Sequence, residues 1–508
     1  MTPLPRPGVV LTSLALHMPH DILPTTDAVS QALVGVTIIA LFLLLTREAA
    51  HRVLVAIGAT AILWGLTYLT PYHLIPFDLA FHHIDLNVLL LLAAMMALVG
   101  VLKDTGVFGW GVARLIHLTR GRPFVVQALL IWLTAVLSAG LDNVTTVIFV
   151  TPMAIAMARQ MQVPAAAFLL PVVMASNVGG TATLIGDPPN IIIASSAQIP
   201  FVAFLVNIAA PVLVMVFLTE WVSARYYRSV LAAPRGAFVP PDIPKIDNPR
   251  LLRWASVVMV GVFIGFLTQR MTGMPPAVPA VMGAAAAMAI QDYLYLRTHK
   301  PSAHERRHGI LRVFEFDIEW PTLAFFAFLF IVVGAAVETG LIGRVATSLS
   351  NGIHAGSATL GLGEKGTLLF AAVLICWVSG VLSAFIDNIP FVAVSIPIVH
   401  QLGGELKGDP MTLWWALALG ACLGGNGTAV GASANVTVTG MAEKAGEPIA
   451  FNAFARFGAP FAALTVLVSS LYLSVFVFGG ARIAYTVFLL IAGALGAVRL
   501  LRGWRGNR

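Results

Sequence analysis

The chain has 508 residues, of which 58% are hydrophobic and only 10% are charged. Soluble domains carry about 25% charged residues, so this composition excludes a soluble globular protein and indicates a polytopic membrane protein. The net charge of +7 does not indicate nucleic-acid binding, because the basic residues lie in short loops between apolar segments, where they set topology. The two cysteines both lie in apolar segments, which excludes a disulfide framework and a thiolate metal site. We expect no cofactor and no metal.

Residues 1–29 are interpreted as an extracytoplasmic lead, because their one apolar run is shorter than the roughly 20 residues that span a bilayer. A signal anchor is the alternative. Spans follow near residues 30–46, 53–70 and 87–102, and residues 106–119 suit an interfacial helix. Arginine and lysine residues after the first and third spans place those ends in the cytoplasm.

The next segments are not simple spans. Residues 123–158 are apolar at both ends, polar in the middle and flanked by arginines on both sides, which predicts a re-entrant hairpin with its tip at Asp142 and Asn143. Residues 165–198 would form one apolar helix but for glycines at 179, 180 and 186 and the pair Pro188-Pro189. An unwound backbone at membrane depth is tolerated only in protein or beside a polar cavity, so this break indicates a transporter's binding site.

Both features occur twice. Gly180, Thr183, Gly186 and Asn190 match residues 425, 428, 431 and 435, and Asp142-Asn143 matches Asp387-Asn388, all at an offset of 245. One constant offset across two separate motifs indicates an internal repeat. Upstream, Thr-Gly at 105–106 matches Thr-Gly at 339–340 with an offset of 234, so the second half carries 11 extra residues near 354–366.

The second half has spans near 251–267, 278–296 and 321–337, a hairpin at 367–400, a broken helix at 413–441, and spans near 457–478 and 483–501. Counting each broken helix as one span gives about eleven spans, five of them in each repeat and one at the C-terminus. An odd number per repeat makes the repeats inverted, which is the architecture of alternating-access transporters. The predicted organisation is a lead (1–29), a first repeat (30–224), a cytoplasmic linker (225–250), a second repeat (251–478), and a C-terminal span and tail (479–508). We predict an all-α polytopic membrane protein in the plasma membrane, the bacterial inner membrane, with its N-terminus outside and its C-terminus in the cytoplasm.

Intramembrane carboxylates are functional candidates by default, because they are expensive to hold in lipid. We predict that Asp142 and Asp387 take part in proton or ion coupling, with helix N-capping as the alternative for each. Asp187 precedes Pro188-Pro189 and is predicted to cap the second half-helix; it is the third coupling candidate.

The expected substrate site consists of neutral hydrogen-bonding side chains at the two breaks and the two hairpin tips. No Lys or Arg lies at the breaks, so a bidentate clamp on carboxylates is missing there. The predicted substrate-binding residues are Asn143, Asn177, Thr181, Thr183, Asn190, Asn388, Asn426, Thr428, Ser433 and Asn435.

With these motifs in place, the sequence resembles the ion transporter superfamily, in the branch that holds arsenite permeases, the melanosomal P protein and NhaD-type sodium/proton antiporters. The resemblance rests on residues 138–143, 175–190, 383–388 and 424–444, and the two halves cover about 400 residues. Dicarboxylate transporters of the superfamily carry Ser-Asn-Thr in both halves, whereas this chain has Ser-Asn-Val at 176–178 and Ala-Cys-Leu at 421–423, which argues against a dicarboxylate. The resemblance implies an elevator, in which hairpins and broken helices carry substrate past a scaffold.

We therefore predict proton-coupled efflux of arsenite and antimonite, because their neutral trihydroxides match an uncharged pocket. Sodium/proton antiport through Asp142 and Asp387 is the alternative within the superfamily. A channel would need a continuous pore, and an enzyme would need a catalytic constellation that the sequence does not show. Association with a soluble ATPase subunit or as a homodimer stays open.

Overall fold

The structure is a computed structural model that describes residues 23–47, 50–119, 121–232, 242–299 and 312–505. The expectations for most of the lead, the middle of the linker, the basic loop at 300–311 and the last three residues lie outside the described residues. In chain order the described α-helices are α1 (Ala28–Thr46), α2 (Arg52–Leu69), α3 (Phe77–His82), α4 (Leu86–Lys103), α5 (Val107–His117), α6 (Pro123–Gly140), α7 (Asn143–Gln160), α8 (Ala166–Thr181), α9 (Pro188–Ser196), α10 (Phe201–Tyr226), α11 (Arg228–Leu231), α12 (Pro249–Leu267), α13 (Gln269–Thr272), α14 (Ala277–His299), α15 (Trp320–Glu338), α16 (Leu341–Thr359), α17 (Glu364–Ser383), α18 (Asn388–Glu405), α19 (Met411–Gly424), α20 (Ser433–Lys444), α21 (Phe451–Gly479) and α22 (Ala481–Arg505).

Two helical hairpins form where the polar tips interrupt the apolar segments. Helices α6 and α7 make the first hairpin, and α17 and α18 make the second. Each returning helix begins at an aspartate-asparagine pair, because the aspartate accepts a backbone hydrogen bond of the first turn. Asp142 accepts from the Thr145 amide at 2.8 Å and Asp387 from the Ile389 amide at 3.2 Å.

The two broken helices end and restart at the glycine-rich stretches. Helix α8 ends at Thr181 and α9 starts at Pro188, while α19 ends at Gly424 and α20 starts at Ser433. The proline pair fits the start of α9, since proline there lacks only an amide that has no intrahelical partner. Glycine is required where the connection folds back. A Cβ on Gly180 would lie 2.6 Å from the Gly186 carbonyl oxygen, and one on Gly425 would lie 2.9 Å from that of Gly431.

The amphipathic helix that precedes each hairpin shows where the repeats differ in length. Gly106 and Gly340 both adopt φ of 75° and begin α5 and α16. Helix α5 has 11 residues, whereas α16 has 19. The longer helix therefore accommodates most of the extra residues that the sequence comparison places in this region.

Outside the hairpins, helices of one repeat pack against helices of the other. Helix α4 of the first half packs against α14 of the second, and α15 of the second half packs against α2 of the first. Within each repeat the outgoing hairpin arm packs on the first broken-helix segment, α6 on α8 and α17 on α19. The segments of one broken helix also contact the other repeat, α19 with α8 and α9, and α20 with α7 and α8. This arrangement brings both breaks and both tips to the junction of the repeats.

The predicted fold class is confirmed: the protein is an all-α polytopic membrane protein with paired hairpins and broken helices. In the described part of the chain, 11 helices are long and apolar enough to cross a membrane. Nine of them are the continuous spans expected from the sequence, and the other two are the outgoing hairpin arms α6 and α17. The broken helices do not meet the length requirement, because each half is shorter than a span.

Contacts between distant residues pair segments that the sequence assigns to the same side. Lys103 forms an ion pair with Asp317 at 3.2 Å, and Arg499 forms one with Glu220 at 2.9 Å, all on the expected cytoplasmic side. On the expected outer side, His83 Nε2 lies 2.9 Å from Glu338 Oε1. These contacts agree with the inverted arrangement, while the orientation of the whole chain in its membrane stays a prediction.

Candidate functional site at the junction of the repeats

An asparagine closes each break in the same way. Asn190 Nδ2 donates to the carbonyls of Gly180 and Thr183 at 3.3 and 3.1 Å. Its counterpart Asn435 donates to the carbonyls of Gly425 and Thr428, both at 2.7 Å. The Gly180 carbonyl lies in the last turn of α8 and the other three lie in the breaks, where backbone carbonyls need such donors inside a membrane protein. We refer to Asn190 and Asn435 as the clasp asparagines.

The clasp asparagines also join the two repeats. Asn177 of α8 donates to Asn435 Oδ1 at 2.9 Å and to Asn426 Oδ1 at 3.0 Å. At the position equivalent to Asn177, the second repeat has Cys422, whose Sγ donates to Asn190 Oδ1 at 3.3 Å. The two cross-repeat hydrogen bonds are thus related by the pseudo-symmetry, with a thiol in place of an amide on one side.

Hydroxyl groups fasten each hairpin to its own broken helix. Ser138 donates to the Ser176 carbonyl at 2.7 Å, and Ser383 donates to the Ala421 carbonyl at 2.6 Å. Thr183 donates to the carbonyl of Ala139 at 2.7 Å, and Thr428 donates to that of Ala384. Thr181 donates to the Asn177 carbonyl one turn earlier at 2.7 Å. The bonds from Ser138, Ser383, Thr183 and Thr428 join each hairpin to its own broken helix, whereas the Thr181 bond lies within α8.

Asp187 breaks the pseudo-symmetry, because its counterpart in the second repeat is Ala432. It occupies the N-cap position of α9, yet its side chain makes no capping bond. The predicted capping role is therefore wrong. Instead the carboxylate accepts from both hairpin tips, from Asn143 Nδ2 at 3.2 Å and from Asn388 Nδ2 at 3.1 Å. The residue is only 1% exposed.

The environment of Asp187 differs from that of the other two aspartates. Among the described residues, no basic side chain forms an ion pair with Asp187. Asp142 is occupied as a cap, since it also accepts from the Thr145 hydroxyl. Asp387 caps α18, accepts from Ser433 Oγ at 2.9 Å and lies 3.9 Å from Arg52 Nη1. Asp187 is thus a buried carboxylate held by neutral side chains, namely the amides of Asn143 and Asn388 and the thiol of Cys422.

A cavity of about 180 Å³ leads to this carboxylate. It lies between the hairpin tips and helices α4 and α15 and extends to the Lys103–Asp317 pair, on the side for which the sequence predicts the cytoplasm. The acidic residues among its described lining outnumber the basic ones four to two; they are Asp142, Asp187, Asp317 and Glu319 against Arg52 and Lys103. A second cavity, of about 390 Å³, adjoins it and reaches Asp387.

The sequence analysis missed Arg52. The expectation that no Arg or Lys lies at the breaks holds for the break sequences themselves. Arg52, however, reaches the second break from the start of α2, although it is 381 residues away from Ser433 in sequence. Arg52 Nη1 donates to Ser433 Oγ at 3.0 Å. The available signal was an arginine at the end of an apolar span, which also fits ordinary topology, so the sequence did not distinguish the two roles.

The predicted binding residues fall into two groups. Asn143, Asn388 and Ser433 line the cavity, together with Asp142 and Asp187. The others are buried in the contacts between the breaks and bond mainly to protein groups; they are Asn177, Thr181, Thr183, Asn190, Asn426, Thr428 and Asn435. Asn426 Nδ2 is buried without a hydrogen-bond partner in the described structure. Whether any of these residues contacts substrate stays a prediction.

This fold and this junction define a multi-pass membrane transporter. Residues 39–420 match the family described as citrate transporter (CitMHS), and the chain belongs to that family within the ion transporter superfamily. The resemblance to the ion transporter superfamily that the sequence motifs indicated is confirmed.

The chain is also similar to named relatives and to one solved structure. The chain is 35% identical to the uncharacterized transporter Rv2684 of Mycobacterium tuberculosis over 459 residues, which cover 87% of this chain and 98% of that protein. It is 28% identical to the P protein of Homo sapiens over 532 residues, which cover 91% of this chain and 62% of that protein. The crystal structure of the YdaH transporter of Alcanivorax borkumensis matches with a TM-score of 0.57 at 16% identity, covering 85% of this chain and 99% of that one. That last similarity concerns the fold.

Proposed function

We propose that this protein is a proton-coupled secondary transporter that exports arsenite and antimonite, with Asp187 as its proton carrier. The observation that supports the proposal is the Asp187 carboxylate, buried at the junction of the repeats and held by one amide from each hairpin tip. A buried carboxylate without a basic partner is costly in its charged form, so a proton or a cation must neutralise it for part of the cycle.

Proton binding at Asp187 would couple to the arrangement of the hairpins. The ionised carboxylate accepts from Asn143 and Asn388 at once and so draws both tips together. A protonated carboxyl becomes a donor on one oxygen and no longer suits two amide donors equally. Protonation therefore changes the free energy of the arrangement in which both tips contact Asp187. A ligand shifts an equilibrium between two arrangements only if it interacts differently with them, and the proton meets this requirement. We infer an elevator cycle in which each hairpin moves with its broken helix, because hydroxyl bonds such as that from Ser138 to Ser176 fasten the pair together.

The neutral trihydroxides of arsenic and antimony fit the cavity better than a free polyanion does. Asn143, Asn388 and Ser433 offer uncharged donors and acceptors on its wall. An anion such as citrate would instead meet a wall on which carboxylates outnumber basic groups, and like charges at close range repel. This argument ranks the substrates of this chain and does not extend to the relatives.

Sodium/proton antiport is the second candidate, and the acidic majority of the cavity lining is the observation that favours it. A partly dehydrated cation takes oxygen ligands, and the carboxylates of Asp142, Asp187 and Glu319 line the same cavity. Both candidates use the same carboxylate as the proton carrier. They differ in whether the second solute carries charge.

Transport into inside-out vesicles under an imposed pH gradient tests the proposal. We expect accumulation of arsenite that requires the gradient and is absent from vesicles without the protein and from vesicles with Asp187→Asn. Gradient-driven accumulation of sodium without arsenite would replace the first proposal with the second. Accumulation of citrate alone would contradict both. The proposed orientation, with the N-terminus outside and the C-terminus in the cytoplasm of a bacterial inner membrane, is tested separately by accessibility tags at the two ends of the chain.

A further inference from the structure

Arg52 connects three separate helices at the edge of the cavity. Its Nη1 donates to Ser433 Oγ at 3.0 Å and lies 3.9 Å from Asp387 Oδ2, while its Nη2 donates to Thr322 Oγ1 at 3.1 Å. Thr322 in turn donates to Glu319 Oε2 at 2.9 Å. The guanidinium therefore holds two partners at once, one from each terminal nitrogen of its planar fork.

The partners of Arg52 belong to different parts of the fold. Arg52 and Thr322 lie at the starts of α2 and α15, which pack against each other outside the hairpins. Asp387 and Ser433 lie at the starts of α18 and α20, in the second hairpin and the second broken helix. Arg52 is thus a bridge between the surrounding helices and the unit that contains the breaks.

The charges at this edge explain why a cation belongs there. Arg52 lines both the 180 Å³ cavity and the 390 Å³ cavity, and so does Glu319. Asp142 and Asp187 line the first cavity, and Asp387 lines the second. Without Arg52, the carboxylates on these walls would lose the basic group nearest to Asp387. The side chains of Arg52 and Asp387 are 33% and 24% exposed, so solvent screens this ion pair and it favours one arrangement only weakly.

We propose that Arg52 is a positioning residue for transport: a tethered counter-cation that holds the second hairpin and broken helix against α2 and keeps the cavity open on this side. The proposal rests on alternating access as proposed above, but not on the identity of the solute. When the hairpin unit moves, Arg52 stays with α2, and its bonds to Ser433 and Asp387 break. Loss of the guanidinium therefore shifts the resting population away from the arrangement described here.

A solute-free labelling experiment tests this role. Val436 lines the second cavity and is 39% exposed, so Val436→Cys reports access to it. The two native cysteines are fully buried, and the protein without the reporter gives the background. Labelling with a membrane-impermeant thiol reagent, in vesicles of each orientation, measures the fraction of time that the cavity is open.

We expect Arg52→Gln to slow labelling by about two- to fivefold, the range of a partly exposed ion pair. Asp387→Asn should slow it similarly while keeping the cap, and the double variant should be no slower than either single one. Arg47→Gln removes an exposed arginine five residues earlier and is the matched control, with labelling unchanged. Arg52→Lys keeps a positive charge beside Asp387 and leaves the α18 cap intact, so it should slow labelling less than Arg52→Gln does and keeps the role testable if Arg52→Gln folds poorly.

Labelling at the original rate in folded Arg52→Gln would overturn the proposal, as would effects of Arg52→Gln and Asp387→Asn that multiply in the double variant. Because the labelling needs no solute, the test of Arg52 still holds if the protein does not transport arsenite. If arsenite transport is intact and labelling is unchanged in Arg52→Gln, the result contradicts the role of Arg52 and leaves the proposed function standing.

Discussion

The clasp asparagines provide a prediction whose size follows from the structure. Asn435→Ala leaves the buried Gly425 carbonyl without its donor and removes one of the two acceptors of Asn177, while the Thr428 carbonyl keeps the Gly431 amide at 3.3 Å. A buried group left unpaired costs about 1–3 kcal/mol, and we expect this cost for Asn435→Ala. Asn190→Ala leaves the carbonyls of Gly180 and Thr183 both without that donor, so we expect about 2–6 kcal/mol for it.

The assay is thermal unfolding of purified protein in detergent. If the whole chain of 508 residues unfolds as one unit, its unfolding entropy is about 1 kcal/mol per kelvin. Asn435→Ala should then lower the Tm by about 1–3 °C and Asn190→Ala by about 2–6 °C. Asn351→Ala, at an exposed position of α16, is the control and should change the Tm by less than about 1 °C. An unchanged Tm in both clasp variants would refute the structural role. Lost solute binding at an unchanged Tm would instead show that these asparagines contact substrate, as the sequence predicts.

Three further predictions follow from the packing, the topology and the caps. Gly179→Ala and Gly424→Ala should abolish correct folding, because a Cβ would meet the backbones of Ala135 and Gly380. The readout is loss of a monodisperse gel-filtration peak, and Gly352→Ala, where a Cβ has open space, should keep that peak. Accessibility tags in the linker at 242–247 should report cytoplasm and a tag near Lys407 should report outside; finding both on one side would contradict the inverted repeats. Asp142→Asn should keep the cap of α7 and lower gradient-driven transport by less than about threefold, whereas a complete loss would show that Asp142 carries the proton.

The sequence predicted the hairpins and breaks because their causes are local. Asp-Asn pairs cap the returning helices, and the glycines at 180 and 186 stand where a side chain would strike backbone. The offset of 245 between the repeats held for structure as well as for residue identity. Asn190 and Asn435, for example, make equivalent bonds to equivalent carbonyls.

The parts that the sequence did not predict depend on contacts between distant segments. Asp187 seemed to be a cap because it precedes two prolines, but both hairpin tips reach it only after the repeats pack together. Arg52 resembled any basic residue at a membrane surface until the fold placed it beside Ser433. Local periodicity carries no information about which loop of one repeat meets which tip of the other.

The measurement that tests the central claim most directly compares two modes of transport in vesicles that contain Asp187→Asn. With arsenite, or with sodium if the vesicle assay identifies it, we expect exchange of solute across the membrane to persist at equal pH. Accumulation driven by a pH gradient should be lost, while Asp142→Asn, measured beside it, should retain both. Full gradient-driven accumulation by Asp187→Asn would contradict the assignment of Asp187 as the proton carrier.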